Sequence, residues 1–170
     1  MPSAGPWGKL APELGRRGGD VTQARPVVGV GAVVWRGDEV LMVRRGHPPA
    51  QGQWHLPGGK QQLGETVAET AAREVREETA VEIRVLDLAG VVDSIHHDQA
   101  GNITYHFTIV DMVAEWVAGE AVAGDDAEAV AWVPAARLES FGATPATLRI
   151  VALAAARRAA MREDDHMIGT

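Results

Sequence analysis

Apolar residues along this chain recur with two periods, and the switches between them mark out the elements. Val27 to Trp35 is an almost unbroken apolar, β-branched run and reads as a strand. Arg36-Gly37-Asp38-Glu39 reads as a hairpin turn, and Val40 to Arg44 returns as a second strand. Gly46 to Gln53 is a loop. Trp54 to Pro57 is a short extended piece, since the residue before a proline is pushed out of the helical region. From Thr66 to Thr79 the period changes to that of a helix: Val67, Ala68, Ala71, Ala72 and Val75 share one face. Thr66 followed by Glu69 is a capping box.

Beyond this helix the β pattern resumes. Val81 to Val92 and Ile103 to Trp116 are long enough for central strands, with a turn at 98–102 between them. Residues 119–126 form a loop of small and acidic residues. Ala129 to Val133 is a short strand, and Pro134 to Leu138 begins a helical turn. Thr144 to Arg158 is an Ala-rich helix in which Leu148, Val151, Leu153 and Ala155 are the candidate packing positions. Strands and helices mix without a βαβ rhythm, which points to a mixed sheet covered by helices on both sides, an α/β fold. Residues 1–25 have no sustained period and read as a flexible arm, in which Trp7 and Leu10 are available for docking. Residues 26–160 form one domain, and 161–170 a polar tail.

Composition narrows the chemistry. The chain has 170 residues, of which 46% are apolar, enough for one domain with a proper core. A net charge of −7 argues against a nucleic-acid surface. The absence of cysteine excludes disulfides, thiolate metal sites and cysteine nucleophiles. No apolar run approaches the roughly 18 residues of a membrane span, and the N-terminus has no apolar signal core. A soluble, cytoplasmic protein is the expectation.

The chemistry-bearing segment is Gly58-Gly59 through Glu65, followed by Arg73-Glu74-Val75-Arg76-Glu77-Glu78. At about 100° per residue, Glu74, Glu77 and Glu78 lie in one sector beside the apolar stripe. The helix can therefore bury one side and present three carboxylates on the next. Like charges so close need a cation or a proton between them. Hard oxygen donors select Mg²⁺ or Mn²⁺. Gly58-Gly59 lets backbone approach the same cations. Arg73 is spaced to reach back to Glu65 or Glu69 and to position carboxylates. Such pairs alone are common on solvated helix faces; the glycine turn at this spacing is what makes them read as a site.

The pattern Gly59-x5-Glu65-x7-Arg73-Glu74-Val75-x-Glu77-Glu78-x-Ala80-Val81 resembles the Nudix box of the Nudix hydrolases. The resemblance implies an α/β/α sandwich and Mg²⁺- or Mn²⁺-dependent hydrolysis of a nucleoside diphosphate linked to another moiety. It implies Glu77 and Glu78 as principal metal ligands, and Glu74 as ligand or as the base that activates water. It further implies Glu65 in support and the Gly58 carbonyl completing the coordination. One position departs: the family's glycine after the helix is Ala80 here, which predicts a changed helix end and an intact metal site.

Outside the box, Arg44-Arg45-Gly46, then Gly52-x-Trp54-x-Leu56-Pro57-Gly58-Gly59, resembles an ADP-ribose pyrophosphatase-like branch. So does Asp125-Asp126-Ala127 followed by Trp132-Val133-Pro134. This suggests ADP-ribose, cut to AMP and ribose 5-phosphate. A house-cleaning dNTP pyrophosphatase, a larger sugar-linked nucleotide and a non-catalytic nucleotide-sensing module are the alternatives. Asp126 or Glu128 is a candidate late ligand or base. Arg44 and Arg45 are candidates for phosphate, with one of the two turned to solvent; Gly59 is a candidate for substrate approach. Trp35, Trp54, Tyr105 and Phe107 are candidates for stacking on a base, Tyr105 among the substrate residues. His96 and His97 are neighbours on a strand, so they face opposite ways and carry no metal reading. Many relatives dimerise, so a homodimer is an open expectation.

Overall fold

The computed structural model describes residues 25–47, 51–124 and 126–168, with side chains described through Asp164. The readings of the N-terminal arm and of Asp125 lie outside the described residues. In chain order the elements are β1 (Val27–Arg36), β2 (Glu39–Arg45), β3 (Trp54–His55), β4 (Gly58–Lys60) and α1 (Val67–Thr79). They continue with β5 (Glu82–His97), β6 (Ile103–Ala118), β7 (Ala127–Pro134), a 3₁₀ turn at Ala135–Arg137, α2 (Leu138–Phe141) and α3 (Pro145–Ile168).

The strands form one mixed sheet in the order β3-β2-β1-β6-β5, with β4 added to β1 and β7 added to β2. β1 runs parallel to β6 over Val27–Trp35, with Gly31 beside Asp111. The same strand pairs antiparallel with β4, so Gly31 also faces Gly58 and Val30 faces Gly59. A strand covered on both faces needs apolar residues at nearly every position, and β1 has them.

The two helical layers read opposite faces of β1. Val30, Ala32 and Val34 pack with Ala71 and Val75 of α1 and with Leu41, Met112 and Ala114. Val33 and Trp35 pack with Ile150, Val151 and Ala154 of α3 and with Met42 and Val113. The result is the expected α/β/α sandwich.

Three expectations need correction. β5 is longer than its apolar stretch, running to His97, and it is an edge strand; only β6 is central. From Val91 to His97 its exposed and partly buried positions alternate, with Asp93 on the open side and His96 on the covered one. α3 runs on through Ile168, past Arg158. Its buried face is Thr147, Ile150, Val151 and Ala154, whereas Leu153 is exposed and so is Ala155. Alanine-rich sequence leaves the phase of such a helix poorly marked, and the sheet fixes it.

Candidate active site

α1 starts where the capping box predicts. Thr66 is the N-cap, its hydroxyl accepts the Glu69 amide, and the Glu69 carboxylate accepts the Thr66 amide at 2.8 Å. Glu69 is thereby committed to the cap, and Arg73 turns to Glu65. Its guanidinium donates to Glu65 at 2.6 and 2.9 Å, to Glu74 at 2.7 Å, to Glu77 at 3.2 Å and to the Lys60 carbonyl at 3.0 Å. The hydrogen bonds from Arg73, with smaller help from the Gln62 amide and the Thr70 hydroxyl, hold Glu65 down to about 2. Glu65 is thus a fixed anion that fixes Arg73, and Arg73 sets the rotamers of two of the three box carboxylates.

The third carboxylate is held from the other side. Glu78 is buried, and its Oε2 accepts the Gly58 amide at 3.0 Å. The structure therefore brings Gly58 to Glu78 through its N–H. Gly59 lies under Glu74: a Cβ built there would strike the Glu74 carboxyl. Glu77 is the open member of the set, with 59% of its side chain exposed.

The 119–126 loop closes the C-terminal end of the helix. The amides of Val122 and Gly124 donate to the carbonyls of Thr79 and Glu78, both at 2.9 Å. These are helix-end carbonyls with no partner inside the helix. Ala80 follows in the left-handed region (φ 57°, ψ 14°), and its amide reaches the Arg76 carbonyl. The helix end is therefore the ordinary left-handed cap, and the expectation that Ala80 changes it is corrected: alanine takes up the glycine conformation.

The remaining candidates divide. Arg45 is buried, and its charge interacts with Glu78 and Asp126; burial pulls its pKa down and those two carboxylates oppose the shift. It joins the late loop to the box helix from inside. Arg44 is the partly exposed one, donating to the Gly52 carbonyl at 3.3 Å and pairing with Glu128 at 3.5 Å. Asp126 is exposed. Tyr105 is buried in a cluster with Phe107 and Ile109, stacked on His96 at 4.0 Å, so it is not presented to a ligand as a stacking platform. Trp35 is core, and Trp54 packs on Phe141 at 4.7 Å.

One residue was missed. Asp111 lies on the α3 face of the sheet, 6% exposed, at the wall of a cavity of about 190 Å³ bordered by Gly31, Leu56, Val92, Ile109, Thr147 and Ile150. Burial raises its carboxyl to about 6. The signal was legible: a lone carboxylate inside the apolar run Ile109-Val110-Asp111-Met112.

Among the described residues no three acidic or histidine side chains converge as a ready-made metal cage. Glu74 and Glu77 meet Arg73, and Glu78 faces Gly58 and Arg45. The donor set nevertheless fits a hard divalent cation: three carboxylates on one helix, beside Gly59, whose side-chain space is taken by the Glu74 carboxyl.

A sequence profile of the NUDIX domain matches residues 25–162. An ADP-ribose pyrophosphatase of Methanocaldococcus jannaschii is 36% identical over 103 residues, which is 61% of this chain and 59% of that protein. A Mycobacterium tuberculosis protein with the provisional name 8-oxo-dGTP diphosphatase 2 is 41% identical over 121 residues, covering 71% of this chain and 81% of that one. Among solved structures, a MutT NUDIX hydrolase from Burkholderia pseudomallei superimposes with a TM-score of 0.62 at 32% identity, over 74% of this chain and 96% of that chain.

Proposed function

The chain belongs to the NUDIX family of hydrolases, and we propose that it hydrolyses the pyrophosphate bond of a nucleoside diphosphate derivative. The observation that carries this reading is the Arg73-pinned set of Glu65, Glu74 and Glu77, facing Gly58-Gly59 with Glu78 behind it. Glu74, Glu77 and Glu78 would hold Mg²⁺ or Mn²⁺, with Asp126 or Glu128 as a ligand or base from the late loop. Bound there, the cation would supply charge neutralisation at the phosphates and a more acidic water. The chain's own part is positional. Arg73 fixes the carboxylates, Gly59 leaves room for the Glu74 carboxyl, and Arg45 ties the late loop to the helix.

Glu74 is the candidate to orient or deprotonate the attacking water, since Arg73 and Gly59 leave its carboxyl little freedom. Two substrate readings follow. ADP-ribose, cut to AMP and ribose 5-phosphate, is supported by the M. jannaschii relative and by the Asp125-Asp126-Ala127 segment. A guanine deoxynucleoside triphosphate is supported by the M. tuberculosis relative and by the carboxyl in the cavity.

The test is product release from ADP-ribose, dinucleoside polyphosphates, GDP-mannose, dGTP and 8-oxo-dGTP, with and without Mg²⁺ or Mn²⁺. Metal-dependent cleavage at the pyrophosphate is expected. Binding without turnover across the panel would instead make the domain a nucleotide-sensing module.

A further inference from the structure

The cavity beside Asp111 has a built floor. Gly31 is the neighbour of Asp111 across the parallel β1–β6 pair, and any side chain at 31 would strike the Asp111 carboxyl. The carboxyl thus occupies the space that glycine leaves. No hydrogen bond or ion pair reaches it among the described residues, and burial alone accounts for its raised pKa. Asp93, Ser94, Thr144 and Thr147 are the other polar residues of the lining. Asp93 accepts the Thr108 hydroxyl at 2.9 Å, and the Thr144 and Thr147 hydroxyls meet each other at 3.1 Å. A buried carboxyl without a partner is costly, and this one borders a cavity whose apolar walls are Leu56, Val92, Ile109 and Ile150.

One wall of the cavity, Leu56, is three residues before Gly59 in the chain: Gly58 meets Glu78 and Gly59 meets Glu74. Three residue steps span at most about 10 Å, the scale of a sugar and its phosphates. A cavity of about 150 Å³ suffices for one six-membered aromatic ring. This one is somewhat larger.

We propose that Asp111 determines base specificity: its carboxyl accepts hydrogen bonds from a heterocycle edge with two neighbouring N–H donors, seated in this cavity while the phosphates lie over Gly58-Gly59. The proposal rests on the pyrophosphatase reading for the place of the phosphates and deepens it. The two oxygens of a carboxylate match two donors side by side. The guanine edge offers a ring N–H next to an amino group. Adenine offers an amino group next to a ring acceptor, and hypoxanthine a ring N–H alone.

The test is calorimetric titration of the full chain with GMP, IMP, AMP and UMP in EDTA, on wild type, Asp111→Asn and Val92→Phe. Wild type is expected to bind GMP roughly tenfold or more tighter than IMP or AMP. Asp111→Asn is expected to bring GMP within about twofold of AMP, and Val92→Phe, which fills the cavity without changing charge, to abolish binding of all four. If Asp111→Asn does not fold, the GMP-to-IMP ratio on wild type decides. Wild type ranking AMP first, or Asp111→Asn keeping the GMP preference, overturns the proposal. A GMP preference in a protein that cleaves no nucleotide overturns the pyrophosphatase reading and leaves the seat; cleavage without base preference does the reverse.

Discussion

Arg73 clasps Glu65 with two parallel hydrogen bonds, from Nε at 2.6 Å and Nη2 at 2.9 Å, and spends its remaining nitrogen on Glu74 and Glu77. The fork geometry matters more than the charge, because an ammonium cannot make the same set. Arg73→Lys is therefore expected to lower metal-dependent turnover roughly 10- to 100-fold, the range for loss of a residue that orients metal ligands. The same bond sets the Glu65 titration. Held down to about 2, the tie is fully present above the carboxyl's ordinary value of 4.5 and is lost as pH falls towards 2. In Arg73→Gln the Glu65 midpoint, followed by carboxyl NMR, should rise towards 4.5; a midpoint still near 2 would mean that other groups hold it.

Glu78 is the carboxylate that backbone positions, through the Gly58 amide. Glu78→Gln keeps a side-chain oxygen for that amide and removes the charge. Turnover is expected to fall by about 10²-fold or more, and Mn²⁺ affinity, read by paramagnetic relaxation of water, to fall with it; thermal stability falls too, because buried Arg45 loses one of its two carboxylates, while circular dichroism stays that of the folded domain. Unchanged Mn²⁺ affinity would take Glu78 out of the ligand set.

Gly59 tests the other side of the site. Its missing side chain is the space that the Glu74 carboxyl occupies. Gly59→Ala forces the carboxyl or strand β4 to move, at a cost of about 1–3 kcal/mol, and should reduce turnover with every substrate alike. A substrate-selective loss would move the role of Gly59 from Glu74 to the ligand.

Sequence pattern carried much of this site because its parts are local. The capping box, the α1 face and the Glu65–Arg73 link all lie within one helix and the turn before it, so helix periodicity alone brings them together. What it could not supply was contact across the sheet. Arg45 beside Glu78 and Asp126 depends on β2, α1 and the late loop meeting in space. Asp111 beside Gly31 depends on the parallel register of β1 and β6. Strand alternation puts Tyr105 and Phe107 on one side of β6, but whether that side faces ligand or core is a question of layers, and it faces core.

Ala80 is the sole non-glycine residue with positive φ among the described residues. A left-handed alanine is strained by roughly 1–2 kcal/mol. Glycine there removes the strain but gives back about 0.4–1 kcal/mol through its freer unfolded chain. Ala80→Gly should stabilise the domain by about 0.5–1 kcal/mol in urea unfolding and leave turnover unchanged, since Ala80 touches no box carboxylate. A loss of stability would show that the alanine methyl contributes packing worth more than the strain.

Asp111 gives the clearest dependence of stability on pH. Its carboxyl is raised by burial from 3.8 to about 6, so the folded state holds a proton that the unfolded chain releases earlier. For a raised acid the sign is that stability falls as pH climbs through this window, is unaffected below it, and reaches a constant deficit above about 6. The shift corresponds to about 3 kcal/mol, an upper figure because burial relaxes when the group ionises. Asp111→Asn cannot ionise. Its unfolding free energy relative to wild type should therefore rise between pH 4 and pH 7 by up to that amount, whatever other groups titrate in both proteins. Adding GMP to wild type at pH 7 should close part of the gap, because donors on the ring edge would satisfy the charged carboxyl. A difference between the two proteins that stays flat with pH would mean that the carboxyl is solvated through the cavity mouth.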